Sequence, residues 1–172
     1  ETPEGTEIGL RKNLALLAKI STRSDLEDVE LIKILTSLGM QREMESEGSD
    51  IFFNGRFIGH IKETKEFISS LKKRKRAGEL PIELSVRYHK VLDNVLLSTE
   101  VGRVMRPLIV IEEGKSKLTE EHMKLLRENS LTWDDLLKSG VIEYLDAAEE
   151  ENSLVALTGE EITEEHTHLE ID

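Results

Sequence analysis

No cysteine occurs among the 172 residues, which excludes disulfides and every thiolate metal site and fits a cytosolic, cytoplasmic protein. Aromatic residues make up only 4% of the chain, so aliphatic side chains must fill whatever core it builds. No apolar run approaches the ~20 residues that span a bilayer, and no signal peptide is recognisable, so no membrane partner is expected. An excess of cations is missing as well, because the formal net charge is −12. Phosphate neutralisation needs net Lys and Arg on the contacting face, so this balance argues against a nucleic-acid clamp built from this chain alone. A phosphate-cradling Gly-rich loop, a nucleophile elbow and an HExxH motif are all absent. Hydrophobic residues at 38% and charged residues at 34% leave a modest core under a highly charged surface. The length suits one medium domain or two small ones. The chain opens on Glu1 rather than Met, and the expectation is an excised fragment.

What is present reads as an α+β chain, with mixed helices and short, mostly antiparallel sheets in two small units. A Pro/Gly-punctuated start opens into an apolar helix running to Ile20, with Leu10, Leu14 and Leu17 on one face. Ser24-Asp25-Leu26-Glu27 has capping-box form, in which hydroxyl and carboxylate satisfy free amides of a first helical turn. Leu26, Val29, Ile32, Leu35 and Leu38 then recur on one face, and Gly39 offers a stop. Residues 41–50 read as a loop. Asn54-Gly55 between two apolar runs predicts a hairpin, since both central residues of a type I′ turn need positive φ. A helix from about Thr64 carries Phe67, Ile68 and Leu71 inward and ends at Gly78. Ile82, Leu84, Val86 and Tyr88 alternate with polar residues as a half-buried strand.

Val95–Leu97 and Leu108–Ile111 are short buried strands, with Pro107 at the entrance of the second. Helices are expected near Thr119–Glu128 and Thr132–Ser139. Val141–Leu145 and Leu154–Leu157 are expected to pair around an acidic loop. The boundary between units is placed at the charged stretch Glu112–Lys117.

Three clusters carry charge that chemistry could use. Lys72-Lys73-Arg74-Lys75-Arg76 is a phosphate-contact candidate. The plainer reading is a solvated last helical turn, where cations offset the partial negative charge of the helix end. Five consecutive residues point all round a helix and form no one-sided stripe, and no stacking aromatics interleave them. His166 and His168 would share one face of a strand, but two histidines supply half of a typical zinc shell. Glu149-Glu150-Glu151, with Asp146 nearby, could bind Mg²⁺ or form a mobile acidic loop, since like charges repel unless a cation is held. His60, His89 and His122 stand in separate elements. No catalytic, cofactor-binding or metal residue can be named, because no acid/base pair converges on a reacting centre.

Several strings, taken together, carry more. Glu1-Thr2-Pro3-Glu4-Gly5 is followed by Gly9-Leu10 and Asn13-Leu14-Ala15-Leu16. Then come Phe53-Asn54-Gly55, Gly102-Arg103-Val104-Met105-Arg106-Pro107-Leu108, and the run Gly140-Val141-Ile142-Glu143-Tyr144-Leu145-Asp146-Ala147-Ala148-Glu149-Glu150-Glu151. His166-Thr167-His168-Leu169-Glu170-Ile171 closes the series. In this order the strings resemble the second-largest, beta-type subunit of archaeal and eukaryotic DNA-directed RNA polymerase, over the whole chain. The compact spacing leans toward the archaeal form.

The resemblance implies that residues 1–20 are the tail of the fork region, with Glu1, Thr2, Pro3, Glu4 and Gly5 near the cleft. It implies a first external module over 21–112, a second over 113–165, and the start of the next large domain at 166–172. The parent enzyme would be a nucleotidyltransferase using Mg²⁺ held mainly by the largest subunit, with no cofactor in this fragment. Partners would be the other polymerase subunits, with DNA template and RNA in the whole enzyme. Arg103 and Arg106 belong to the resembling motif without a role that the sequence assigns. Two readings from other classes remain: a freestanding acidic α+β interaction module, and a small metal-dependent hydrolase using His166 and His168.

Overall fold

The computed structural model describes residues 14–23, 26–42 and 47–171. Two sheets organise them. The first has four strands: β2 (Ser49–Phe53), β3 (Arg56–Ile61), β4 (Ser85–His89) and β5 (Asn94–Ser98), in the order β3-β2-β5-β4. β2 and β3 form the expected hairpin. Asn54 and Gly55 sit at φ of 47° and 75°, the left-handed pair that a type I′ turn requires. β2 and β5 run parallel, and such a pair needs a crossover. That connection contains α2 (Thr64–Arg76), which packs with α1 (Asp28–Ser37) onto the sheet. Leu31 and Leu35 of α1, Phe67 and Leu71 of α2, and Ile51, Phe53, Val86, Val95 and Leu97 of the strands form this core.

The second sheet is built around β6 (Val104–Glu112). On one edge it pairs antiparallel with β8 (Ile142–Asp146). On the other it pairs with β1 (Lys19–Ile20) at one end and β10 (His168–Leu169) at the other. β7 (Lys115–Ser116) folds back on β6, and β9 (Val155–Ala156) runs parallel to β10. α3 (Glu120–Arg127) and α4 (Trp133–Lys138) open with capping boxes, Thr119 with His122 and Thr132 with Asp135. Leu136 of α4 is buried on Ile109, Val141 and Ile142. α5 (Ala147–Glu150) follows β8 directly.

Several expectations are corrected. The opening helix does not continue to Ile20. Residues 14–18 are turn and irregular chain, and Lys19–Ile20 is a strand, because Ser21 ties this segment to Arg103 and Glu100. The rest of that expected helix, and Ser24 and Asp25 of the capping box, lie outside the described residues. α1 starts at Asp28 with Glu27 at its N-cap and no side-chain cap bond. Leu31 and Leu35 are buried, Leu26, Ile32 and Leu38 pack partly buried against the same core as expected, and only Val29 of the expected face is exposed. Gly39, at φ 101°, does follow its end. Val141–Leu145 and Leu154–Leu157 do not pair with each other, since β8 joins β6 and β9 joins β10. The strand ending at Glu112 is the axis of the second sheet.

Pro107 lies inside β6 rather than at its entrance. Val110 donates to Val141 on the β8 side, while Ile111 donates to Thr167 on the β10 side. Alternation therefore turns the Pro107 nitrogen toward the edge where β1 and β10 leave a gap. Its missing amide breaks no ladder bond there.

Candidate functional site

The chemistry-bearing residues converge where the C-terminal turn of α2 meets the second sheet. Phe67, Leu71 and Lys75 follow one another at spacings of four, so Lys75 continues the buried stripe of α2 past its hydrophobic residues. Its side chain is 3% exposed, and its Nζ donates to both carboxylate oxygens of Glu149, each at 3.0 Å. The same carboxylate accepts the Val86 amide at 3.1 Å, so one group links α2, β4 and α5. Arg76 donates from Nε and Nη2 to the two oxygens of Glu143, at 3.1 and 2.7 Å. His168, fully buried, donates from Nε2 to that carboxylate at 2.5 Å.

Backbone shape permits this approach. Gly140 has φ +64°, and a Cβ there would stand 2.8 Å from the Arg76 Cβ and 2.9 Å from its carbonyl oxygen.

Electrostatics splits the two buried glutamates. Burial pushes the Glu143 carboxyl up, but the hydrogen bonds from His168 and Arg76 outweigh it and hold the group well below the usual carboxylate range. Burial raises Glu149 above its ordinary value, with Lys75 only partly opposing. Asp146 is raised by burial but ends lowered, through the Glu149 amide and the Arg103 guanidinium. It caps α5 by accepting that amide at 2.9 Å, and Arg103 Nη1 reaches it at 2.5 Å.

The two arginines with no role assigned from sequence thus acquire one. Arg103 also donates to the Glu100 carbonyl and to that of Glu83, joining the start of β6 to the segment ahead of β4. Arg106 holds Glu150 at 2.7 Å and Glu170 at 2.6 Å, fastening α5 to the chain after β10.

The candidate clusters change meaning in this setting. Of the basic run, Lys75 and Arg76 are engaged internally, so the picture of a solvated last turn fails for them. Arg74 faces Glu79 at 3.7 Å, and Lys72 and Lys73 line a cleft beside α2. Glu149, Glu150 and Glu151 are not a mobile acidic loop. The first two belong to α5, and each of the three has its own cation, respectively Lys75, Arg106 and Arg87. His166 and His168 are not brought together. His166 bonds Thr163 through Nδ1, while His168 points into the core at Glu143. His60, His89 and His122 are apart, near Asp50, Leu92 and Thr119. Glu1, Thr2, Pro3, Glu4 and Gly5 lie outside the described residues. Among the described residues no group of three or more acidic, His or Cys side chains is arranged to hold a metal ion.

Sequence reasoning missed the Glu143–His168–Arg76 and Lys75–Glu149 sets. Their only signal was a lysine at the next buried position after Phe67 and Leu71.

Comparison with known proteins accounts for the whole length. Residues 51–112 match RNA polymerase Rpb2, domain 4, and residues 133–172 match RNA polymerase Rpb2, domain 5. The chain is 39% identical over 187 residues to DNA-directed RNA polymerase subunit Rpo2 of Saccharolobus shibatae, covering 99% of the chain and 16% of the relative. It is 35% identical over 180 residues to DNA-directed RNA polymerase III subunit RPC2 of Schizosaccharomyces pombe, covering 100% of the chain and 15% of the relative. Against DNA-directed RNA polymerase II subunit RPB2 of Encephalitozoon cuniculi the identity is 33% over 187 residues, 99% of the chain and 16% of that protein. The chain thus spans about a sixth of the length of these curated relatives. Two consecutive domain matches and full-length similarity to archaeal and eukaryotic relatives agree, and the chain belongs to the family of second-largest subunits of DNA-directed RNA polymerase, as one segment of such a subunit.

Proposed function

We propose that this segment is an external, structural part of the polymerase, contributing to DNA-templated RNA synthesis without supplying a catalytic group. One observation carries the reading: the buried and partly buried charges of the junction neutralise one another. Lys75, Arg76, Arg103 and Arg106 are matched by Glu149, Glu143, Asp146 and Glu150. Groups committed in this way hold two sheets in register and do not converge on a reacting atom. Nucleotidyl transfer and the Mg²⁺ it uses belong, in this reading, to residues elsewhere in the enzyme. The partners are the largest subunit, the rest of the second-largest subunit, and through them DNA and RNA. Residues 1–20 would be the tail of the fork, with Glu1–Gly5 near the cleft. Residues 21–112 and 113–165 would form the two external modules, and 166–172 would enter the next domain. The working place is the cytoplasm, and among the described residues no helix is long and apolar enough to cross a membrane.

The test compares the purified chain with whole polymerase carrying Arg76→Ala. The chain alone is expected to show no Mg²⁺-dependent nucleotide incorporation. The variant polymerase is expected to assemble less well and inactivate at lower temperature, with an unchanged rate of nucleotide addition per assembled enzyme. Incorporation or phosphate release by the chain alone, abolished by changing His166 and His168, would overturn the reading in favour of the hydrolase.

A further inference from the structure

A cleft of about 780 Å³ lies beside α2 and adjoins the buried junction at Arg76. Lys65, Ser69, Lys72 and Arg76 follow one another along α2 at spacings of four, three and four, so they share the helix face that lines it. Lys73 and Lys90 extend this basic side. Other elements contribute acidic groups: Glu112 and Glu113 at the end of β6, Glu151 after α5, and Glu164 and Glu165 ahead of β10. Ile68, Val86, Ile111 and Leu154 add apolar surface to the same lining.

Arg76 is spent on Glu143, but the ammonium groups of Lys65, Lys72, Lys73 and Lys90 have no ion-pair or hydrogen-bond partner among the described residues. The same holds for the carboxylates of Glu113, Glu164 and Glu165. Lys72 is half-buried, and burial pushes its ammonium below the ordinary value while Glu143 and Glu149 oppose the shift. A partly desolvated cation with no ion pair or hydrogen bond of its own is one that an incoming carboxylate would stabilise.

We propose that this cleft is a docking surface for an extended peptide segment of a partner protein in which acidic and basic residues alternate. Successive side chains of an extended strand point to opposite sides. Such a segment would set its carboxylates against Lys65, Lys72 and Lys73 and its ammonium groups against Glu113, Glu164 and Glu165, with its backbone over the apolar floor. Charge complementarity decides the occupant. A nucleic-acid strand is negative along its whole length and would meet the glutamates together with the lysines. A uniformly acidic or basic peptide meets the same conflict on one side.

Fluorescence anisotropy on the full chain tests this, using labelled peptides of about ten residues that alternate Glu and Lys, are all Glu, or are all Lys, and an oligouridylate of similar reach. The alternating peptide is expected to bind more tightly than the other three probes, with affinity falling as salt rises. Lys65→Glu with Lys72→Glu should weaken it on the order of tenfold. Glu164→Lys with Glu165→Lys should weaken it similarly while strengthening binding of the all-Glu probe. If changing half-buried Lys72 unfolds the chain, Lys65→Glu with Lys73→Glu, both exposed, reads the same wall. The proposal is overturned if the alternating peptide does not bind, if a uniform peptide or the RNA binds the wild-type chain at least as tightly, or if the wall variants leave its affinity unchanged.

Discussion

At the scale of residues, the junction makes an asymmetric prediction. Lys75→Met leaves Glu149 buried without its cation, which should cost about 3–5 kcal/mol. Pairing it with Glu149→Leu should recover much of that loss, because a buried ion pair replaced by packed apolar groups is often neutral. Urea denaturation of both variants decides this; equal losses would mean the pair does not act as a unit. The two glutamates should also give opposite pH slopes. Glu143 has its folded value depressed below the ordinary 4.5, so its stabilisation is fully present above the unfolded value and is lost as pH falls below it. Glu149 is raised above 4.5, so its contribution is present below that value and is lost as pH climbs through the folded one. The stability difference between wild type and Glu143→Gln should therefore shrink on acidification from neutral pH. For Glu149→Gln the wild type should lose relative standing as pH rises. Denaturation across acid to neutral pH measures both slopes, and slopes of the same sign would contradict the assignment. None of this was legible in the sequence, where Glu143 and His168 stand 25 residues apart and only the fold makes them neighbours.

At the scale of elements, local rules did well where the residues involved are adjacent. The Asn54–Gly55 hairpin, the Phe67 and Leu71 face of α2 and the Thr132 start of α4 depend on neighbours within a few positions. Strand partnership does not. β8 and β9 looked like a pair because they are close in sequence, yet β6 takes one and β10 the other. Glycines make the same distinction testable. Gly78 has φ +75° with open space around its α-carbon, whereas Gly140 combines φ +64° with the close backbone of Arg76. Gly78→Ala should cost about 1–2 kcal/mol, the price of a left-handed residue with a Cβ. Gly140→Ala adds a steric clash to that strain and should lower the melting temperature more. Equal melting temperatures would mean α2 can move away from the α4–β8 turn without loss.

At the scale of the whole molecule, the first and second sheets are joined by Lys75, Arg76, Arg103 and the Asn152 contacts to Tyr88. They are expected to unfold together. Trp133 reports on the second sheet through its packing near Leu136, and hydrogen exchange at Val95 reports on the first. The two transitions should coincide in the wild-type chain and separate in Lys75→Met with Arg76→Ala. Separate transitions in the wild type would remove the ionic junction as a structural link. The sequence by itself determined the α+β class, the Asn54–Gly55 turn and the Phe67 and Leu71 face of α2, and through its ordered motifs the polymerase family, because these are carried by nearest neighbours or by strings of fixed residues. Tertiary structure alone decided that β6 is the axis of the second sheet, that Pro107 falls in a gap of its ladder, and that Lys75 of the basic run and Glu149 of the acidic run meet as a buried pair. Which charges meet is set by how the elements pack, and in low dielectric only charges that meet can remain buried.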